Sequence, residues 1–324
     1  MPLVVGTSKG PIETWIDSPP SESLTLGLAG ITSHLAINFD LGIGPRLTLS
    51  TACASGLHAL IRGAMLIREG HARVMVVATE SSLHPLFIGS FRRLGVLAPA
   101  GHGCRPFDQE RRGFVVGEAA AAVCLEKSAE NRQGVQVESF AMGADGFHLT
   151  GVDPAGGTLR RVLAGVMGNK PVDLIHGHGT GTIMHDPVEL AAIDETLAGT
   201  RLTPSPGTLG EGRGEGLPSQ SSVLSPHYLR NVRPVLYSHK GALGHSIGAS
   251  GLVATVLNCL CHRHGIVPPN LRTTQPLEMS RTTCSTRAIE RRIHRSIVIA
   301  SGFGGATAAV SLVGGSSLAE ILTL

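Results

Sequence analysis

The sequence has 324 residues, more than the roughly 100–200 of an average single domain, so the chain can form one large core or two fused ones. Hydrophobic residues make up 42% of the sequence and charged residues 16%, a composition that excludes a wholly disordered protein. The net charge of +3 is too close to neutral for a protein that binds nucleic acid by neutralising phosphates.

Cysteine usage and the N-terminal residues indicate the cellular compartment. Six cysteines spread over a chain of this length do not indicate a disulfide framework. The first residues, MPLVVGTSKG, lack a basic stretch followed by a long apolar one, so no signal peptide is predicted. The most apolar window, Ser246 to Cys261, is shorter than the roughly 20 residues that a membrane-spanning helix needs. We therefore expect a cytoplasmic protein with no membrane or nucleic-acid partner.

Short apolar runs bounded by Gly, Pro or Ser predict buried strands along the chain. In chain order they are Leu3–Gly6, Arg46–Ser50, Val74–Glu80, residues 119–127, residues 135–143, Leu174–His178, Pro234–Ser238 and Ser296–Ser301. The runs 119–127 and 135–143 are predicted to form an antiparallel pair. Helical runs follow several strands, including one after Cys53 that Gly70 would end. This alternation predicts an α/β fold in which helices cover both sheet faces.

Two segments share the pattern Ala-Ser-Gly-Leu, and each begins an apolar helix just after a strand. They are Cys53–Leu57 and Gly248–Leu252. The similarity reflects either chance among small residues or a duplicated unit whose two central helices pack together. Residues from about 198 to 231 are dense in Gly, Pro and Ser, which predicts an insertion without regular structure. That insertion is either a solvated loop or a loop that docks a partner.

Cys53 is the candidate nucleophile. It lies where a predicted strand ends and an apolar helix begins, and a helix N-terminus favours the thiolate. Small neighbours, Ala52, Ala54 and Ser55, would let a substrate carbonyl approach. The alternative is a buried structural cysteine, the role that the positions of Cys124 and Cys259 favour. On position alone, we expect Cys53 to be the most reactive thiol.

Two histidines occupy glycine-rich turns that follow strands. His178 precedes Gly-Thr-Gly-Thr, and His245 follows Lys240 by five residues. A lone histidine at a strand end is more often a hydrogen-bonded core residue, but two of them together with a poised cysteine indicate a catalytic site. Zinc is the competing explanation for cysteine with histidine. No pair of these residues has the spacing of zinc ligands, so no metal site is predicted.

Six segments in series resemble signature segments of the β-ketoacyl-acyl carrier protein synthases. They are STACASG, RPFDQERRGFVVGEAAA, DGFHLT, HGTGTIMHDPVE, SHKGALGHSIGASG and SGFGGATAA. They are similar to the Cys-His-His condensing enzymes of type II fatty-acid and polyketide systems in the thiolase superfamily. The resemblance runs from about Leu3 to Val313. It implies a five-layered αβαβα sandwich of two similar halves, residues 1–130 with the nucleophile and residues 131–324 with both histidines.

The resemblance also implies a role for each matching residue. Cys53 would accept the acyl group, and His178 with His245 would promote decarboxylation of a malonyl thioester. Lys240 would hold the site electrostatically, with Glu189 as its ion partner. The backbone N–H groups of Cys53 and Phe303 would form the oxyanion hole, and Phe303 would act as a gate. The supporting residues would be Thr180, Thr182, Gly302, Gly304 and Gly305.

The implied partners are an acyl carrier protein with its phosphopantetheine arm and a second subunit, either another copy of this chain or a related one. No free cofactor is implied, because the malonyl group supplies the electron-rich carbon. Three rival readings remain. A biosynthetic thiolase would carry a second catalytic cysteine near the C-terminus, and SGFGGATAA has none. A chain-length-factor-like partner subunit would lack the nucleophile. The third rival is a truncated, inactive synthase.

The chain departs from the family pattern at three places. The family usually has a further segment before the residues that begin here, so we expect a truncated N-terminal half in which one central strand is either missing or supplied by another chain. After GFGG, Ala306-Thr307 replaces the Thr-Asn that is common in the family. Lys9 lies where many relatives have an uncharged residue close to the acyl tunnel. A buried charge is costly, so either Lys9 points to solvent or the tunnel is short.

Overall fold

The computed structural model describes residues 1–12, 16, 27–127, 134–199 and 233–314. Most of the predicted insertion at about 198–231 lies outside the described residues. The described strands are β1 (Leu3–Gly6), β2 (Arg46–Leu49), β3 (Arg73–Glu80), β4 (Ala119–Glu126), β5 (Val135–Gly143), β6 (Leu174–His176), β7 (Val235–Tyr237), β8 (Ile266–Val267), β9 (Ile289–Glu290), β10 (Arg295–Ser301) and β11 (Thr307–Gly314). The described α-helices are α1 (Leu28–Asn38), α2 (Ser55–Arg68), α3 (Pro85–Arg93), α4 (Gly157–Met167), α5 (His185–Ala198), α6 (Lys240–Leu243) and α7 (Ser250–His264).

Two mixed sheets form the frame of the fold. The first has the order β2-β1-β3-β4, and the second has the order β5-β11-β10-β6-β7. In the first sheet, β1 is parallel to β2 and β3, and β4 is antiparallel to β3. In the second, β6 is parallel to β7 and β10, while β11 is antiparallel to β10 and β5. The predicted strands are present with ends that shift by at most two residues.

Helices α2 and α7 lie between the two sheets. Their apolar residues share one buried cluster with residues of β1 and β3 on one side and of β10 and β11 on the other. Helix α1 covers the outer face of the first sheet, and α4 with α5 covers the outer face of the second. The five layers are therefore helix, sheet, helix, sheet and helix, which confirms the αβαβα sandwich.

The predicted antiparallel pairing of the runs 119–127 and 135–143 is wrong. They form β4 and β5, which belong to different sheets: β4 pairs with β3 and β5 pairs with β11. Both strands direct apolar side chains at the same central helical cluster from opposite sheets. Sequence adjacency suggested a hairpin, but each strand covers a different side of the shared core.

The two sheets correspond strand by strand. The order β2-β1-β3-β4 matches β7-β6-β10-β11, with the same parallel and antiparallel neighbours. The strand of the second sheet that has no counterpart among the described residues is β5, at a sheet edge. The expectation of an absent central strand is therefore wrong, because β1 and β3, the inner strands of the first described sheet, are paired on both sides.

Close packing of α2 against α7 explains the repeated Ala-Ser-Gly-Leu pattern. A Cβ atom added to Gly56 would lie 2.9 Å from the carbonyl oxygen of Gly248, and one added to Gly251 would lie 2.9 Å from Cβ of Leu57. Such contacts are shorter than van der Waals distance, so glycine is required at both positions. The interpretation as two packed central helices is confirmed.

A buried polar network links β6 and the residues after β7 to helix α7. His176 contacts the Asn258 side chain through Nδ1 at 2.9 Å and the His239 ring through Nε2 at 2.8 Å. The other nitrogen of His239 lies 3.2 Å from the hydroxyl of Ser250. Burial lowers the pKa of His176 to about 3, so the ring is neutral at pH 7. The network ties the strand ends that precede the site to the start of α7.

Acid stability should depend on His176. Its pKa is about 3 in the folded chain against 6.5 ordinarily, so between these pH values the unfolded state binds one proton more. The wild type should therefore lose about 1.4 kcal/mol per pH unit relative to a His176→Asn variant as the pH falls below 6.5. Thermal unfolding of both proteins between pH 8 and pH 4.5 measures this difference. A difference in Tm that does not change with pH would contradict it.

Candidate active site

A strained turn positions Cys53 between β2 and α2. Ala52 has a φ of 50°, a left-handed conformation that residues other than glycine rarely adopt. The Ser55 hydroxyl stabilises the turn, because it accepts a hydrogen bond from the Thr51 N–H at 2.9 Å and donates one to the Ala52 carbonyl at 2.6 Å. Cys53 lines a cavity of about 470 Å³.

The same cavity is lined by both predicted histidines. His178 lies just beyond β6, and His245 lies just beyond α6. Their rings are 5.3 Å apart, centroid to centroid, in an edge-to-face arrangement. The His245 backbone N–H donates to the Val115 carbonyl at 2.7 Å, which fixes its turn against the segment before β4. The structure therefore brings Cys53, His178 and His245, distant in sequence, to one cavity.

Glu189 and Lys240 both hold the His178 turn, and their charges interact although no direct ion-pair contact joins them among the described residues. The Glu189 carboxylate accepts hydrogen bonds from the N–H groups of His178 at 2.5 Å and Gly179 at 2.8 Å. The Lys240 ammonium donates to the His178 carbonyl. Both side chains are buried; against the effect of burial on each, Glu189 raises the pKa of Lys240, and Lys240 lowers the pKa of Glu189.

Burial sets the protonation states of the site. It lowers the pKa of His178 and of His245 well below 6.5, and the nearby Lys240 charge lowers both further. Both rings are therefore neutral at pH 7. Burial also lowers the pKa of Lys240 and raises that of Glu189. It raises the pKa of Cys53 to about 12, against the opposing effect of Lys240, so the resting residue is a thiol.

Phe303 lines the cavity at the end of β10, in a short 3₁₀ turn with Gly304 and Gly305. Its ring is 6.5 Å from that of Phe91, which in turn contacts Phe114 at 5.4 Å. Gly302 packs against the turn that carries Cys53 (the nucleophile turn, Thr51–Ser55), and an added Cβ would lie 2.6 Å from the Thr51 carbonyl. In the described part of the chain, neither the Cys53 nor the Phe303 N–H donates to a backbone carbonyl. Both donors are available to a ligand.

The threonines that follow His178 also line the cavity. Their hydroxyls, on Thr180 and Thr182, lie 3.0 Å apart. The buried carboxylate of Asp186 accepts hydrogen bonds from the N–H groups of Thr180 at 3.1 Å and Gly181 at 3.0 Å. Asp186 was missed by the sequence analysis, although an acidic residue in the first turn of a helix after a Gly-rich loop is a signal for such a contact.

Lys9 does not line the cavity. Its ammonium lies 4.8 Å from the centroid of the Phe87 ring, in a half-buried position. The charge is therefore placed over an aromatic face, where it is attracted by the ring, and not along the cavity wall.

The structure changes the expectation that Cys53 is the most reactive thiol. Cys53 is buried as a thiol, whereas Cys124 is exposed on β4. Iodoacetamide should therefore label Cys124 first and Cys53 slowly. Peptide mapping over time in the wild type and in Cys124→Ser measures both rates. Faster labelling of Cys53 than of Cys124 in the wild type would show that the cavity activates the thiol without substrate.

In residues 1–12, 16, 27–127, 134–199 and 233–314, no group of three or more His, Cys, Asp or Glu side chains is placed to hold a metal ion. No helix in the same ranges is long and apolar enough to cross a membrane.

Comparisons with known proteins agree with this geometry. Residues 18–131 match the family described as "Beta-ketoacyl synthase, N-terminal domain", and residues 135–207 and 220–274 match "Beta-ketoacyl synthase, C-terminal domain". The chain is 31% identical over 286 residues to the tetracenomycin polyketide synthase ketoacyl synthase alpha subunit of Streptomyces glaucescens, covering 83% of this chain and 60% of that protein. It is 29% identical to a putative mitochondrial 3-oxoacyl-[acyl-carrier-protein] synthase of Schizosaccharomyces pombe, covering 91% of this chain and 71% of that protein.

Solved ketosynthases share the fold. The ketosynthase from module 6 of the bacillaene synthase of Bacillus subtilis 168 superposes with a TM-score of 0.76 and 19% identity, over 96% of this chain and 54% of that one. A type II polyketide ketosynthase, solved in complex with its acyl-carrier protein and bound to the hexaketide, superposes with a TM-score of 0.72 and 21% identity, over 91% of this chain and 69% of that one. The chain thus spans about 60% of the length of the Streptomyces relative. On these matches, the chain belongs to the β-ketoacyl synthase family.

Proposed function

We propose that this chain is a β-ketoacyl-acyl carrier protein synthase. It would transfer an acyl group from a carrier-protein thioester to Cys53 and then condense it with a malonyl thioester, extending the acyl chain by two carbons. The observation that carries the proposal is the single cavity lined by Cys53, His178, His245 and Phe303. A nucleophile and two neutral donors in one enclosed site suit acyl transfer followed by enolate chemistry.

In the first half-reaction, the Cys53 sulfur attacks the acyl thioester carbonyl. The N–H groups of Cys53 and Phe303 donate to the oxyanion, and the thiol proton leaves with the carrier thiol. Because burial raises the pKa of Cys53 to about 12, loss of the proton accompanies attack rather than preceding it. The buried Lys240 charge opposes the effect of burial and favours the developing thiolate.

In the second half-reaction, His178 and His245 donate to the thioester oxygen of the malonyl group. The bond to the carboxylate breaks, carbon dioxide leaves, and the electron pair remains as an enolate. The enolate carbon attacks the acyl carbonyl on Cys53, and the sulfur leaves and takes up one proton. Neutral imidazoles suit this step, since an imidazolium would protonate the carbanion before it attacks. Burial keeps both rings neutral.

The remaining residues support these steps. Glu189 and Lys240 hold the His178 backbone, while Thr180 and Thr182 line the route to the histidines. Phe303 gates the cavity, and the φ values of 79° at Gly304 and 78° at Gly305 give its turn a conformation that favours glycine. Gly302 leaves room for the nucleophile turn.

The partners we propose are an acyl carrier protein that delivers both thioesters on its phosphopantetheine arm and a second subunit, identical or related. The exposed side chains of Ile183 and Met184 at the cavity mouth suit a protein partner. We propose that the reaction uses no cofactor and that the protein acts in the cytoplasm. We further propose that residues 1–130 and 131–324 act as two halves, one with the nucleophile and one with the histidines.

The direct test is formation of an acyl-enzyme. Incubation with an acyl N-acetylcysteamine thioester, followed by proteolysis and mass spectrometry, should place one acyl group on the Cys53 peptide. Cys104→Ser is the matched control, because Cys104 is buried in the same apolar cluster and should remain unmodified. Cys53→Ser should form no thioester. Absence of an acyl group from Cys53, with or without acylation of exposed Cys124, would refute the proposed nucleophile and favour an inactive or non-catalytic subunit.

A further inference from the structure

A third histidine, His185, lines the cavity beside His178 and has no role in the mechanism above. It is the first residue of α5, and its ring is 5.1 Å from that of His178 in an edge-to-face contact. In the described part of the chain, neither ring nitrogen of His185 forms a hydrogen bond, and buried Nδ1 lies 3.6 Å from Oε2 of Glu189. An unpaired polar group in an enclosed site needs an explanation.

Both oxygens of Glu189 already accept backbone N–H groups, and an acceptor at this place favours a proton on the facing Nδ1 of His185. A lone pair on Nδ1 would face the lone pairs of Glu189, whereas an N–H there is attracted to them. Burial and the Lys240 charge lower the pKa of His185 to about 4, so the ring is neutral and carries only one proton. Nε2, on the opposite edge of the ring, therefore holds a lone pair. The side chain is 16% exposed, and that exposure belongs to the edge turned away from Glu189.

The position of His185 tells which part of a substrate reaches it. On one side of His178, the rings of His245, Phe114, Phe91 and Phe303 follow one another toward Cys53 and the gate. His185 contacts His178 outside this series of rings and follows Ile183 and Met184, which line the same cavity and are both 64% exposed. A thioester that enters the cavity past these two exposed side chains would meet His185 on its way to His178.

We propose that His185 is a substrate-binding residue that accepts a hydrogen bond from the amide N–H nearest the sulfur of the incoming thioester arm. This inference rests on the proposed function. The arm of a carrier thioester places that amide two carbons from the sulfur, close to the carbonyl that His178 and His245 hold. A lone pair suits an amide N–H and repels the malonyl carboxylate. The exposed Arg112, which also lines the cavity, is the group with the charge to attract that carboxylate.

The test compares two substrates that differ only in the proposed donor. One is S-malonyl-N-acetylcysteamine, and the other is its ester isostere, with oxygen in place of the amide N–H. For carbon dioxide release, the wild type should prefer the amide in kcat/KM by about tenfold, the scale of one buried hydrogen bond. In His185→Phe, which keeps the ring shape without nitrogen, the ratio should fall to about one. His185→Asn, which offers a carbonyl oxygen, should restore part of the preference.

Each ratio is measured within one protein preparation, so partial misfolding of a variant cancels. Leu94→Ala is the matched control, because Leu94 is also an exposed residue that lines the cavity, and it should keep the wild-type ratio. A wild-type ratio near one, or a ratio unchanged in His185→Phe, overturns the proposal even when Cys53 is acylated normally. If the wild type releases no carbon dioxide, the proposed function fails. The preference for the amide is then measured as the ratio of the equilibrium affinities for the corresponding amide and ester S-acetonyl thioethers. Equal affinities, or no binding of either, then overturn the role of His185.

Discussion

Replacing His178 or His245 with alanine should slow carbon dioxide release from a malonyl thioester by about a hundredfold or more. Each neutral ring lines the cavity with Cys53, and each would supply one donor to the enolate oxygen. Loss of one oxyanion donor typically costs a factor of this size. Acylation of Cys53 should change much less, because the donors proposed for its oxyanion are the backbone N–H groups of Cys53 and Phe303. Rapid-quench measurement of the two half-reactions separates these effects.

His176→Asn is the control for the histidine variants, because His176 is buried behind the site and does not line the cavity. It should leave both half-reactions near the wild-type rate at pH 7. If the His178 and His245 variants release carbon dioxide at the wild-type rate, the two rings do not stabilise the enolate. If acylation of Cys53 slows as much as decarboxylation, the two substitutions disturb the whole site and not the enolate donors alone.

Gly302→Ala should slow acylation of Cys53 by about a hundredfold, the cost of displacing a reacting group by roughly 1 Å. An added Cβ would lie 2.6 Å from the Thr51 carbonyl and 3.1 Å from the Cys53 nitrogen. The backbone of Gly302 is extended, with φ of −126°, so the effect is steric and not a matter of glycine conformation. The added carbon must push the nucleophile turn or the Phe303 turn out of place.

Gly89→Ala provides a matched control, since a Cβ there meets no atom within 4 Å. It should acylate Cys53 at the wild-type rate. The acyl-enzyme formation rate of both variants, measured with their thermal unfolding, distinguishes a local effect from global destabilisation. A Gly302→Ala protein that folds and acylates normally would show that this contact does not position the nucleophile.

Much of the frame was predictable because local patterns determine it. Leu3–Gly6 is a continuous apolar run and forms β1 as predicted, and the helix after Cys53 ends two residues before Gly70, which has a φ of 106°. Pairing partners were not predictable in the same way. The strands β4 and β5 follow each other in sequence, yet they belong to different sheets because both cover the same central helices.

The cavity residues Cys53, His178 and His245 could be predicted from the turns that hold them and from the resemblance to the β-ketoacyl synthases. Their protonation states could not, because these depend on burial in the folded structure. Position at a helix start suggested a reactive thiol, but burial outweighs it and raises the pKa of Cys53 to about 12. Glu189 was predicted to pair with Lys240; their charges interact, but the hydrogen bonds of both side chains go to the His178 backbone. His185 lies within the segment HGTGTIMHDPVE, but the sequence assigned it no role, and its position beside His178 shows its relation to the site.

The central claim is that one cavity carries both acyl transfer and carbon–carbon bond formation. The most direct measurement adds malonyl thioester labelled with ¹³C at its methylene carbon to the Cys53 acyl-enzyme and identifies the products by mass spectrometry. We expect a labelled β-keto thioester and one carbon dioxide for each acyl group lost from Cys53. Carbon dioxide with only acetyl thioester, while the acyl group stays on Cys53, would contradict it.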